Sequence, residues 1–109
     1  MPSKIYPVYS TEEVLNFTGE CVRKVAHLEG DLVECGVAAG SQIAMMIESS
    51  DKQVWGFDSF QGIPYAGEHD DIQPGWSYKD EKNLGKLETT GVSSHSKEQV
   101  IATLNNMGV

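Results

Sequence analysis

No apolar run in this 109-residue chain approaches the roughly 20 residues that span a bilayer, and its start, Met1-Pro2-Ser3-Lys4-Ile5-Tyr6, lacks the apolar stretch of a secretory signal. Neither a membrane partner nor export is therefore expected. Basic residues are scarce: 8 Lys and Arg stand against 16 Asp and Glu, a net charge of -8. Binding to a phosphate backbone needs clustered cations, so nucleic acid is excluded as an expected partner. Cysteine is scarce as well. Cys21 and Cys35 fall in different predicted elements without metal or redox spacing, which argues against a disulfide framework. Internal repeats and low-complexity tracts are missing too. Together these absences make a cytoplasmic location the expectation, and the length allows one domain at most.

What the chain does have is concentrated between residues 31 and 62. Asp31 to Glu34 reads as a short apolar strand, Glu34-Cys35-Gly36-Val37-Ala38-Ala39-Gly40 as a glycine-rich turn, and Ser41 to Ile47 has helical spacing. Small residues at 36, 38 and 40 let the backbone turn tightly and let a ligand approach the main chain where a Cβ would collide. Gln53 to Phe57 reads as a second strand, and Asp58 follows it, 18 residues after Gly40. An acid at that strand tip can accept hydrogen bonds from ribose hydroxyls, so the unit predicts a site for an adenosine-bearing cofactor. The order is β-α-β, with a right-handed crossover expected.

Which cofactor depends on the turn. A dinucleotide site wants G-x-G-x-x-G, with a pyrophosphate on the helix N-terminus. Here Ala38 stands between the two glycines, and Glu34 precedes the first of them. An acid there repels a pyrophosphate but can accept hydrogen bonds from an ammonium group, which favours the amino-acid end of S-adenosylmethionine. A nicotinamide-dependent oxidoreductase half-domain is the alternative, supported by the β-α-β unit and Asp58 and opposed by the missing glycine pattern.

The pattern Glu-x-Gly-Val-x-x-Gly, followed by Val54-Trp55-Gly56-Phe57-Asp58-Ser59-Phe60-Gln61-Gly62-Ile63-Pro64, resembles the macrocin O-methyltransferase family, and Gly91-Val92-Ser93-Ser94-His95-Ser96-Lys97-Glu98-Gln99-Val100 resembles that family's entry into its next helix. The likeness runs from about residue 11 to the end. It implies an α/β, Rossmann-like class I methyltransferase fold, S-adenosyl-L-methionine as cofactor, and a small-molecule hydroxyl as methyl acceptor, in this family a sugar hydroxyl. It also implies a frequent need for Mg2+, whose ligands, with the acceptor-activating base, belong to later strands and not to this chain. A catalytic residue is accordingly not assigned. Carried over by position, Glu34, Cys35, Gly36, Val37 and Ala38 would wrap the methionine end, with Gly40 closing the turn. Asp58 would hold the ribose, and Ser59, Phe60, Gln61 and Gly62 would border the adenine and the substrate entrance. A class I methyltransferase normally needs about twice this length. On this resemblance residues 1–109 are expected to be the N-terminal, cofactor-binding half of an incomplete fold, with self-association or pairing with a missing half left open. A non-catalytic fragment that pairs with another chain is the third reading.

Around this unit, Ser10 and Glu13 match a capping box, and Val14, Phe17, Cys21, Val22 and Val25 form the apolar stripe of a leading helix. Ser96 with Gln99 is a second capping box. Val100, Ile101, Leu104 and Met107 are the stripe of a further helix that ends at a Gly108 cap. Residues 58–93 form a long loop with glycines at 62, 67, 75, 85 and 91, leaving from the carboxyl end of the second strand, where a lid would sit. Its Tyr65, His69, Trp76 and Tyr78 offer aromatic surfaces for a substrate. Glu68, Asp70 and Asp71 carry cation-binding oxygens but read equally as a solvated acidic loop. His95 has the chemistry of a general base, yet at a helix entry among serines it reads first as structural or solvent-facing. Duller readings exist for the site residues too. Gly36 and Gly40 could serve close helix–strand packing, Asp58 could cap the turn before Phe60, and Glu34 could be a strand-end charge.

Overall fold

Thr11, one residue later than the sequence pattern places it, opens the first helix. Its backbone is extended and its hydroxyl accepts the Val14 amide at 3.2 Å, starting α1 at Glu12–Val25. The predicted Ser10 cap is thus corrected: the Ser10 hydroxyl is buried without a hydrogen-bond partner. The computed structural model describes residues 4–70 and 89–109. Four further elements follow α1: β1 Leu32–Cys35, α2 Ser41–Ser49, β2 Val54–Phe57 and α3 Lys97–Asn106. The chain is therefore a small α/β structure, with three helices and one two-stranded parallel sheet among the described residues. Leu32 pairs with Val54 and Cys35 with Phe57, so β1 and β2 run in register with α2 as their connection.

Strand side chains alternate between faces, which gives the sheet an inner and an outer side. Leu32 and Glu34 on β1 are half-buried while Val33 and Cys35 are exposed. On β2, Val54 joins the core of Val37, Ile43 and Val100, together with Phe60 and Leu104. Gly56 faces the same side. A Cβ there would lie 2.6 Å from Ile43 Cδ1 and 3.0 Å from Val37 Cγ2, so the absent side chain is what lets α2 settle on the sheet. The outer face is apolar and open: Val33 is 56%, Trp55 49% and Phe57 56% exposed.

α1 packs on α2 through a face that shares only Val22 with the predicted stripe. Leu15, Gly19 and Val22 are buried, whereas Val14, Phe17, Cys21 and Val25 are exposed. Gly19 allows the close approach, since a Cβ would meet Ser49 Oγ at 3.1 Å and Met45 Sδ at 3.2 Å. Thr18 adds a 2.8 Å hydrogen bond to Gln42 Oε1. Beyond α1, the Lys52 ammonium donates to the carbonyls of Leu28 and Gly30, placing a cation where the chain leaves the helix.

α3 begins with the full capping box expected at Ser96 and Gln99. It ends as expected at Gly108 (φ 77°), where the Val109 amide bonds to the Leu104 carbonyl and the Gly108 amide to Asn105, the paired bonds of a Schellman motif. Val100 and Met107 are buried, and Ile101 is 47% exposed. Residues 4–9 lie antiparallel along α3: the Lys4 amide donates to Met107 at its far end, and Tyr9 Oη meets His95 Nε2 at 3.1 Å near its start.

Candidate functional site

The turn between β1 and α2 is wound by three left-handed residues at alternate positions, Gly36 (φ 93°), Ala38 (φ 49°) and Gly40 (φ 106°). The sequence placed small residues at these positions, and the backbone gives each its reason. The two glycines differ in their surroundings. Among the described residues, a Cβ on Gly36 would meet nothing within 4 Å, so there its main chain is open to an approaching group. One on Gly40 would press on Val100 Cγ1 at 3.2 Å, so Gly40 makes room for α3. The close-packing reading therefore describes Gly40, and the open-approach reading describes Gly36.

Asp58 ties the second strand to this turn. Its Oδ2 accepts the amides of Val37 at 2.7 Å and Ala38 at 3.1 Å, and its Oδ1 accepts the Phe60 amide at 2.8 Å. Burial tends to raise this carboxyl, but the hydrogen bonds from the Phe60, Ala38, Val37 and Ser59 amides prevail and hold it below the ordinary carboxylate range. The turn-capping reading of Asp58 is thus visible directly.

Glu34 lies on the same face as Asp58 and has the opposite environment. Its Oε1 is buried without a hydrogen-bond partner. Burial first, and the Asp58 charge second, push its carboxyl from 4.5 up to about 7. Two neighbouring carboxyls with divergent acidities are an arrangement found at working sites.

The remaining candidates divide by position. Cys35 is exposed at the end of β1, on the sheet face opposite Glu34. Val37 gives its amide to Asp58 and its side chain to the core. Phe60, in a left-handed conformation (φ 58°), packs against that core. Ser59 is exposed and its hydroxyl accepts the Gln61 amide. Gln61 and Gly62 meet the returning chain. The Thr89 hydroxyl donates to the Gln61 carbonyl, the Ile63 amide to Val92 at 2.8 Å, and the Thr90 amide to Ile63 at 2.9 Å. A side chain on Gly62 (φ 90°) would collide with the Val92 carbonyl. Pro64 and Thr89 form an antiparallel bridge, so the base of the long loop is zipped shut.

Trp76, Tyr78 and Asp71 lie outside the described residues. Within them, Asp70 Oδ2 accepts the Gly67 amide at 2.6 Å, and Glu68 and His69 are exposed. No group of three His, Cys, Asp or Glu side chains among the described residues could hold a metal ion, so the magnesium implied by resemblance finds no ligand set there. A hollow lined by Glu12, Glu13, Val14, Asn16, Phe17 and Glu20 shares no residue with the turn and adds no chemistry to it. Among the described residues no helix is long and apolar enough to cross a membrane. Sequence reasoning missed Gly56 and the zipped loop base. An isolated strand glycine was the only sign of the first, and the second rests on pairings far apart in the chain.

A glycine turn feeding a helix, with an acid from the neighbouring strand accepting the turn's amides, defines a small α/β protein built on a β-α-β unit. The macrocin-O-methyltransferase (TylF) family matches residues 6–108, nearly the whole chain, and the protein belongs to that methyltransferase family. No curated protein and no solved structure matches it.

Proposed function

We propose that this chain supplies the cofactor site of an S-adenosylmethionine-dependent O-methyltransferase acting on a hydroxyl of a small molecule. Family membership supports the reaction class, and the open main chain at Gly36 beside Glu34 and Asp58 is the observation that carries the cofactor reading. The unpartnered oxygen of Glu34 would accept the cofactor's ammonium, the exposed Gly36 backbone would border its methionine end, and Asp58 at the strand tip would lie towards the ribose hydroxyls. The sulfonium brings its own leaving group when bound. Glu34, Gly36 and Asp58 would hold and orient it, and it would supply an activated methyl group for transfer to the acceptor oxygen, whose proton would pass to a base outside the residues assigned here. A sugar hydroxyl as acceptor and a cytoplasmic location complete the reading, the first by family analogy and the second from composition.

The test is calorimetric titration of the chain with S-adenosylhomocysteine, with NAD as control and Gly36→Val alongside. Saturable binding of the first ligand alone, lost in the variant, is expected. Binding of NAD instead would return the oxidoreductase reading, and binding of neither by a folded sample would overturn the cofactor reading. The open outer face at Val33, Trp55 and Phe57 favours a second reading, in which the chain works only when paired with further polypeptide. Titrating again after adding a complementary C-terminal methyltransferase half would separate the two.

A further inference from the structure

Glu34 and Asp58 share one face of the sheet but not one fate. Asp58 has three amide hydrogen bonds and stays ionised, whereas Glu34 has a buried oxygen with no partner. Among the described residues, the elements around Glu34 bring no compensating cation. On β1's own side, Asp31 is engaged by the Trp55 indole at 3.0 Å. β2 contributes only the negative Asp58, α2 has no charged residue in its first turn and only Glu48 near its end, and the loop residues 59–63 carry none. His95, at the start of α3, is engaged by Tyr9. A carboxyl so placed is held more cheaply as the neutral acid.

We propose that Glu34 enters cofactor binding as a carboxylic acid and leaves it as a carboxylate, so that binding releases a proton to solvent. This rests on the cofactor reading above and specifies how the site recognises its ligand. The balance is simple: Glu34–COOH and an incoming ammonium give a carboxylate–ammonium pair plus one hydrated proton. The ligand's charge replaces the missing cation, and the orphaned oxygen gains its hydrogen bond. The free site thereby avoids two adjacent negative charges. A ligand lacking the amino-acid end cannot drive the exchange.

The experiment is calorimetric titration of the full chain at about pH 6 in two buffers of different ionisation enthalpy, which reads the protons exchanged. The probes are S-adenosylhomocysteine and 5′-methylthioadenosine, which lacks the ammonium. The expected result is release of close to one proton with the first probe and none with the second. Affinity for the first should rise up to about tenfold per pH unit between about pH 5.5 and 6.5, the limit for one linked proton. Glu34→Gln, which keeps the shape of the neutral acid, should bind more weakly, without proton release and without that pH dependence. Saturable binding of S-adenosylhomocysteine with no proton exchange, or equal release from Glu34→Gln, would overturn this proposal and leave the cofactor reading standing. Absence of saturable binding by the folded wild-type chain would overturn both.

Discussion

At the scale of single residues, Asp58 is the acceptor on which the turn depends. Asp58→Ala strips three amides of their partner, and a cost of about 2 kcal/mol is expected in urea unfolding, with loss of hydrogen-exchange protection at Val37 and Ala38. The two carboxyls also predict opposite pH effects. Asp58 is held low in the folded state, so its contribution is present above the unfolded pKa and disappears as pH falls through the folded value. Glu34 is raised, from 4.5 to about 7, so its contribution is complete below the unfolded value and is lost as pH rises towards the folded one. Glu34→Gln should accordingly match wild type in stability near pH 4. It should exceed it at pH 8 by on the order of 1 kcal/mol, solvent screening of this partly exposed group keeping the gain small. Equal urea midpoints for the two proteins at pH 8 would contradict this.

At the scale of elements, what sequence reasoning could read depended on how local each signal was. Both strands lie within a residue of their expected places because apolar runs bounded by a glycine turn and by Asp58 leave little freedom. The Ser96–Gln99 cap and the Gly108 stop were legible because each is made by residues a few positions apart. The start of α1 was misread because Ser10-x-x-Glu13 fits the reciprocal capping pattern, while Thr11 caps alone. Of the buried face of α1 only Val22 was read, for a different reason: its centre is Gly19, whose value lies in absent atoms that no hydrophobic periodicity registers. Gly40 and Gly56 have the same character. Gly40→Ala meets both a left-handed backbone and the Val100 methyl, and a loss of about 2 kcal/mol is expected in thermal or urea unfolding. Gly56→Ala keeps an ordinary backbone and meets the far end of Ile43 and one methyl of Val37, and it should cost less, about 1 kcal/mol. The reverse order of the two variants would show that the strand–helix contact is the tighter constraint. At the site, the turn was legible, as was the bond of Asp58 to the Phe60 amide two residues on. The bonds of Asp58 to the turn amides and the role of Phe60 as core residue were not, because they arise from contacts across 20 or more positions.

At the scale of the whole molecule, one face of the sheet is finished and the other is not. α2, with α1 packed on it, covers the inner face, while Val33, Trp55 and Phe57 stand open on the outer. Parallel sheets are ordinarily covered on both sides, so the chain in isolation should bind a hydrophobic dye and associate with rising concentration. Sedimentation velocity across a concentration series checks this. Trp55→Lys is expected to reduce both dye fluorescence and association, and unchanged behaviour would move the sticky surface elsewhere, with the exposed Val14 and Phe17 stripe of α1 next in line.

The pairing of residues 61–64 with residues 89–92 separates two things that proteins often tie together. Because the ends of the intervening segment are fastened beside each other, its length can change without moving the rim of the β1–α2 turn. A flexible segment twice as long adds only about 0.6 kcal/mol of closure entropy. Insertions and deletions between residues 64 and 89 are therefore expected to leave the β1–α2 turn in place, whereas that turn, wound by three left-handed residues, tolerates little change of length.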